Sequence, residues 1–260
     1  MKSLRDFVKD TKVFIVGHRG SSGTAPENTF ASFSEALKNS SAMVEADIHF
    51  SKDNKIVTVH DFSNFDEEYS NGKPSDFLFE DIQKIDAGNW FNPKFKGERI
   101  PLFEDVIDLI CGKAYLNIEI KEMDLENHIS SFNEILSVIK AKNYENHFMI
   151  SSFNYKILNL IKNFGYDIPT AAIQIPHLKM SISEIAQYTG CEGFICDIND
   201  VNEEIVHESC NNNLYLAVYN IETIEHLQKA LDFGIKAIAT DYPEKIKQML
   251  DSLNITLALP

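Results

Sequence analysis

An α/β fold of the TIM (β/α)8 barrel type is what this sequence predicts, on three observations. Short apolar runs alternate with helical periodicity along the whole chain. The alternation amounts to eight strand–helix units in 260 residues, and such units mean parallel strands joined by crossover helices. No glycine fingerprint of the dinucleotide or P-loop kind follows any strand, which weakens the structural alternative, a doubly wound open sheet.

The first strand is expected over residues 13–17, with His18-Arg19-Gly20 in the loop behind it and a helix over 29–38. The second strand, 43–48, takes an extra strand, 56–60, beside it. Residues 61–97 then break the rhythm with Asn64-Phe65-Asp66-Glu67-Glu68, Asn71-Gly72-Lys73-Pro74 and Asp86-Ala87-Gly88-Asn89-Trp90-Phe91. An insertion this long reads as a lid or small subdomain after the second β/α unit, over one end of the barrel. Its aromatics, Phe62, Phe65, Phe77, Phe79, Trp90 and Phe91, are expected to form a small core in preference to an apolar entry for substrate. Strands follow at 114–120, 148–151, 170–173, 193–196, 214–218 and 237–240, and helices at 102–111, 125–141, 155–163, 202–211, 222–233 and 243–250. Leu158 with Ile161, and Leu160 with Phe164, show the spacing of one packed helical face. Pro243 suits a first helical turn, with Thr240 or Asp241 as its cap. No repeat, low-complexity tract or linker divides the chain, so a single domain over residues 1–260 is expected.

Hydrophobic residues make up 44% and charged residues 24%, an ordinary globular composition. The formal charge of −15 argues against a nucleic-acid partner, which needs a basic footprint, and against docking on anionic membranes. An anionic small substrate stays open, because distant surface charge is screened beyond roughly 8 Å at physiological salt. Cys111, Cys191, Cys196 and Cys210 form no CxxC pair and read as reduced, mostly buried thiols. Residues 1–12 are charged, and no stretch approaches the roughly 18 apolar residues of a membrane span. The expectation is a cytoplasmic protein without membrane insertion.

Strand residues alternate sides. In Val44-Glu45-Ala46-Asp47-Ile48 the apolar set takes one face, and Glu45, Asp47 and His49 the other. In Leu116-Asn117-Ile118-Glu119-Ile120-Lys121 the polar face carries Asn117, Glu119 and Lys121. Helices cover the outside of a barrel, so the polar sets must enter its mouth. Converging carboxylates lose hydration and repel, at several kcal/mol per ion, unless a hard divalent cation with oxygen ligands compensates. Glu45, Asp47 and Glu119 are therefore candidate metal ligands. From Glu45 and Asp47 alone, an open sheet with solvated polar faces is the better reading; Glu119 on a second strand shifts the balance.

His18 closes the first strand beside Arg19, a fixed cation suited to phosphate oxygens, and His60-Asp61 closes another strand at the same end. Two histidines supply a general acid and a general base near neutral pH. With a carboxylate-bound cation and an Arg/Lys pair, they point to phosphodiester cleavage.

At this point the sequence resembles the glycerophosphodiester phosphodiesterase family. The resemblance is carried by His18-Arg19-Gly20, Ala25-Pro26-Glu27-Asn28-Thr29 and Phe33, then Glu45-Ala46-Asp47-Ile48, Lys52-Asp53 and Val59-His60-Asp61. Asp86-Ala87-Gly88, Trp90-Phe91, Ile100-Pro101, Asn117-Ile118-Glu119-Ile120-Lys121, Ser151-Ser152-Phe153 and Ala239-Thr240-Asp241-Tyr242-Pro243 continue it. It implies a TIM barrel that hydrolyses small-molecule glycerophosphodiesters to an alcohol and glycerol 3-phosphate. By position it implies His18 and His60 as the acid/base pair, Arg19 and Lys121 on phosphate, and Glu45, Asp47 and Glu119 around one Mg2+ or Ca2+. It further implies the substrate's own glycerol hydroxyl as nucleophile, through a cyclic phosphate; which histidine is the base stays open, with His18, nearest Arg19, the preferred one. Two segments depart from the family. Asn64-Phe65-Asp66-Glu67-Glu68 stands where Leu-x-Arg-Thr-Thr is common, and Ala217-Val218-Tyr219-Asn220 where Trp-Thr-Val-Asn is frequent. The first loses a cation and the second a large aromatic wall, which implies altered specificity with the core set intact. Two other readings are a catalytically silent phosphate-binding barrel and a phospholipase-D-like enzyme acting on lysolipid head groups.

Overall fold

Nine strands form one sheet in a computed structural model of the chain, which describes residues 1–121 and 128–260. They are β1 (Phe14–Gly17), β2 (Met43–Phe50), β3 (Ile56–Thr58), β4 (Tyr115–Ile120), β5 (Phe148–Ser152), β6 (Thr170–Ile173), β7 (Gly193–Asp197), β8 (Tyr215–Tyr219) and β9 (Ala237–Thr240). Neighbours run β1-β9-β8-β7-β6-β5-β4-β2, and β1 pairs back onto β2, so eight parallel strands close into the barrel. Only β3 is antiparallel, on the end of β2.

The helices are α1 (Leu4–Asp10), α2 (Phe30–Lys38), α3 (Glu67–Ser70), α4 (Phe79–Ile82), α5 (Phe103–Ile110), α6 (His128–Ala141), α7 (Tyr155–Asn163), α8 (Ile182–Thr189), α9 (Glu203–Asn211), α10 (Ile224–Asp232) and α11 (Pro243–Ser252). Of the expected helix over 125–141, residues 125–127 lie outside the described residues. Val44, Ala46, Ile48, Leu116, Ile118 and Ile120 all face outward into the main core, against Phe33 of α2 and Val106 and Ile107 of α5. The inward residues near the strand starts, Phe14, Val16, Met43 and Tyr115, join Leu4 and Phe7 in a second cluster. Thus α1 closes the lower end of the barrel.

Two full helices go beyond the sequence expectation. The short α1 buries only Leu4 and Phe7, too few positions for periodicity to register. The other, α8, opens on a capping box in which Ser181 accepts from the Glu184 amide and Glu184 reaches back to the Ser181 amide. At α11 the expected caps are corrected. Tyr242 occupies the cap position without a side-chain bond, and the Asp241 carboxylate is turned to His18 and Ser22.

β2 overshoots the barrel rim, and β3 turns back along it with Ile48 opposite Thr58. The stretch that follows leaves from Thr58 and returns at Pro101, where the Thr58 amide donates to the Pro101 carbonyl at 2.9 Å. It precedes α5, the crossover helix of the second unit, so it is inserted within that unit and not after it. Phe62, Ile82, Ile85 and Ile100 are buried there with Val57 and Val59, and Phe65, Tyr69, Phe77 and Phe79 pack around them. Trp90 is exposed. Asp66, Glu67 and Glu68 point to solvent.

Candidate active site

The register of β2 on β4 sets Glu45 opposite Asn117 and Asp47 opposite Glu119, all on the inward face. One carboxylate oxygen from each of Glu45, Asp47 and Glu119 lies within 4.8 Å of the others, and all three residues are buried. These are the ends of parallel barrel strands, the face where such barrels carry their chemistry.

This donor set fits a hard divalent cation. Glu45 Oε1 is buried and has no hydrogen-bond partner among the described residues. Among the described residues Asp47 Oδ1 meets the Lys121 ammonium alone, at 3.0 Å and off hydrogen-bond geometry, and Lys121 also contacts Glu119 Oε1. An all-oxygen cluster with under-coordinated lone pairs is what Mg2+ and Ca2+ bind. The electrostatics agree. Burial, then the charge of Asp47, pushes the Glu45 carboxyl up to about 8. Burial and Asp47 also raise Glu119. Asp47 stays ionised: burial works against it, but the Lys121 and Arg19 charges outweigh burial and hold its carboxyl below the usual range. Lys121 is raised despite burial by Asp47 and Glu119.

The first loop shapes one wall. Arg19 adopts a φ of 51° and Gly20 a φ of +85°. A Cβ on Gly20 would stand 2.0 Å from Ser32 Oγ and 2.6 Å from the Ser32 carbonyl carbon, so only glycine lets α2 seat against this loop. The turn aims the Arg19 amide at Glu45 Oε2, at 2.8 Å. The Arg19 side chain is held between Glu27 Oε2 at 2.9 Å and Asp47 Oδ2 at 3.2 Å. Asn28, also at positive φ and buried, donates to Asp47 Oδ2 at 2.8 Å and accepts from the Asp47 amide at 3.2 Å.

Each candidate histidine is tied to an aspartate. His18 Nδ1 lies 2.7 Å from Asp241 Oδ1, and the Ser22 hydroxyl lies 2.7 Å from the same oxygen. A carboxylate accepts, so Nδ1 carries the proton and Nε2 is the reactive nitrogen. Burial alone would lower the His18 imidazole; the Asp241 bond and the Glu45 charge outweigh it and hold it above its usual value. His60 Nδ1 lies 2.6 Å from Asp61 Oδ2, and Asp61 Oδ1 accepts from the Ser63 amide at 2.8 Å and from its hydroxyl. The return of β3 delivers His60 to the mouth, because the Val59 amide donates to the Asp47 carbonyl at 3.1 Å.

The structure thus brings all seven sequence-predicted residues together. His18, Arg19, Glu45, His60, Glu119 and Lys121 line one cavity of about 550 Å³, and Asp47 lies fully buried behind them. Sequence reasoning gave Asp241 only the part of a helix cap, and gave Asp61, Asn28 and Glu27 no role in the site. For Asp241 the available signal was closure itself: β1 and β9 are neighbours, with Gly17 opposite Thr240, so the residues that follow them must meet.

A model of the "Glycerophosphoryl diester phosphodiesterase family" matches residues 18–245. The glycerophosphodiester phosphodiesterase of Caldanaerobacter subterraneus is 30% identical over 247 residues, covering 90% of this chain and 96% of the relative. A Bacillus subtilis enzyme of the same name is 27% identical, covering 93% of this chain and 88% of its own length. Among solved structures, an Oleispira antarctica phosphodiesterase in complex with the product sn-glycerol-3-phosphate superposes with a TM-score of 0.79 at 24% identity, over 92% of this chain and 96% of the other. With that match running from the first candidate histidine to the last barrel helix, the chain belongs to the glycerophosphoryl diester phosphodiesterase family.

Proposed function

We propose that this chain hydrolyses glycerophosphodiesters to glycerol 3-phosphate and an alcohol, using one divalent cation, Mg2+ or Ca2+, held by Glu45, Asp47 and Glu119. One observation carries the reading: two aspartate-anchored imidazoles and a buried carboxylate cluster share one cavity at the strand ends. When bound, the cation supplies Lewis-acid stabilisation of charge on the phosphoryl oxygens. Arg19 and Lys121 add fixed positive charge for the same oxygens. One histidine accepts a proton at Nε2 from the attacking hydroxyl, and the other gives its Nε2 proton to the departing alkoxide. Asp241 and Asp61 orient the two rings through Nδ1 and favour the imidazolium form as it develops. The net reaction breaks one P–O bond, adds the oxygen of water to phosphorus and returns a proton to the alcohol. The product bound to the Oleispira antarctica relative supports glycerol 3-phosphate as the phosphate-bearing product. Unbridged thiols at Cys111, Cys191, Cys196 and Cys210 support the cytoplasm as the compartment.

The test is a product assay on a panel of water-soluble glycerophosphodiesters. His18→Ala and His60→Ala should each lower turnover by roughly 10² to 10⁴. Near-wild-type rates in both variants would remove the histidines from the mechanism, and no turnover by the wild type would favour a silent phosphate-binding barrel.

A further inference from the structure

Glu45, Asp47 and His49 stand at alternate positions of β2. The first two belong to the carboxylate cluster. His49 stands where β2 overshoots the barrel, opposite Val57 of β3. Its imidazole Nε2 lies 3.0 Å from the carbonyl oxygen of His60. A carbonyl oxygen only accepts, so Nε2 carries the proton and His49 is the donor.

The two candidate histidines have different supports. The His18 backbone is held by the barrel itself: it follows β1 directly, and its amide donates to the Thr240 carbonyl at 3.0 Å, one step beyond the paired register of β1 and β9. His60 comes after β3, which lies outside the closed ring of eight strands. The register of β3 on β2 ends with Thr58 opposite Ile48, and the Val59 amide then makes its bond to the Asp47 carbonyl. Among the described residues no backbone-to-backbone bond reaches His60. Its ring is tied to Asp61, but Asp61 is the next residue and moves with the same peptide. That bond sets the turn of the ring relative to its own backbone, and not the place of the ring over the carboxylates. The bond from His49 does set the place, because it joins the His60 peptide to the strand that carries Glu45 and Asp47.

We propose that His49 is a positioning residue for His60: by donating from Nε2 to the His60 carbonyl it fixes where this imidazole stands relative to the carboxylates of β2. The inference rests on the acid/base role proposed above for His60. Proton transfer needs an imidazole within hydrogen-bond reach of the reacting oxygen, and a displacement of about 1 Å caused elsewhere can cost roughly 10² in rate. The Nε2 proton of His49 is committed to the carbonyl, so His49 acts through the His60 peptide and not on substrate.

The test compares three substitutions by glycerophosphodiester turnover with the cation in excess. His49→Leu and His49→Phe remove the donor, and the second keeps a ring. His49→Gln keeps an N–H donor on a side chain of similar reach. In the Leu and Phe variants kcat should fall about 10- to 100-fold with KM little changed. The Gln variant should recover most of that loss. The rise in melting temperature on adding Mg2+ or Ca2+ should persist in all three, because no carboxylate is altered. A variant that has not folded is recognised by its melting curve, and the other donor-free variant then carries the test. In a His60→Ala background, His49→Leu should cost nothing further, since a residue that acts only through His60 has nothing left to position. Wild-type kcat in the donor-free variants, an equal loss in His49→Gln, a lost cation response, or an undiminished loss on top of His60→Ala would each overturn the assignment and leave the hydrolytic reading standing. Near-wild-type turnover by His60→Ala alone would remove the acid/base role, and this assignment with it.

Discussion

Burial and the charge of Asp47 raise the Glu45 carboxyl far above the usual carboxylate range. An unfolded Glu ionises near 4.3, while the folded carboxyl holds its proton to about 8. Between those values the folded state binds more protons, so this group's contribution to stability is lost as pH rises through that window. His18, also raised, acts in the same direction. In chelator, melting temperature should therefore fall from pH 5 to pH 8, and Glu45→Gln should flatten the fall; equal slopes in the two proteins would contradict this account of Glu45. Asp241 makes a second residue-scale prediction. Asp241→Asn should lower kcat between about 10-fold and 10⁴-fold, with KM little changed, because it orients a ring and touches no substrate. An unaltered kcat would return Asp241 to a structural role. Its carboxylate was legible as part of a motif but not as a partner of His18, since 223 positions separate them and only barrel closure makes them neighbours.

At the scale of elements, the β1–α2 loop is where sequence and chemistry are most tightly joined. Gly20→Ala places a methyl against the backbone of Ser32 at positive φ. A cost of roughly 1–3 kcal/mol is expected from the backbone strain alone, with several degrees lost in melting temperature. Activity should fall with it, because Arg19 and its amide contact to Glu45 hang on the same turn. Wild-type melting and wild-type turnover together would contradict that. The strands were legible because their apolar and polar residues alternate, as in Val44 to Ile48. The helix α1 was not, because seven residues with two buried positions carry too little pattern. The overshoot of β2 was half legible. Its pairing with the 56–60 run was expected, but the antiparallel return that sets His60 beside Asp47 depends on a turn whose direction no periodicity encodes.

Across the whole molecule, an acidic chain of net charge −15 draws a barrel around carboxylates it cannot easily leave bare. A cation that binds only the folded state stabilises it by mass action, about 2.7 kcal/mol at a hundredfold excess over Kd. Mg2+ or Ca2+ should therefore raise the melting temperature of the wild type, and Asp47→Asn should abolish the rise; a rise of the same size in the variant would place the ion elsewhere. The fold was legible at this scale, because eight alternating units leave few ways to close a sheet. The shared cavity lined by Ala171, Gly193, Ala217, Ala237 and Ala239 was not, since each reads singly as a small strand residue.

The central claim is that a carboxylate-held cation and two histidines act together at this mouth. It is tested most directly by glycerophosphodiester turnover after exhaustive chelation and again after Mg2+ or Ca2+ is returned. The account predicts loss followed by recovery; full turnover in excess chelator would contradict it.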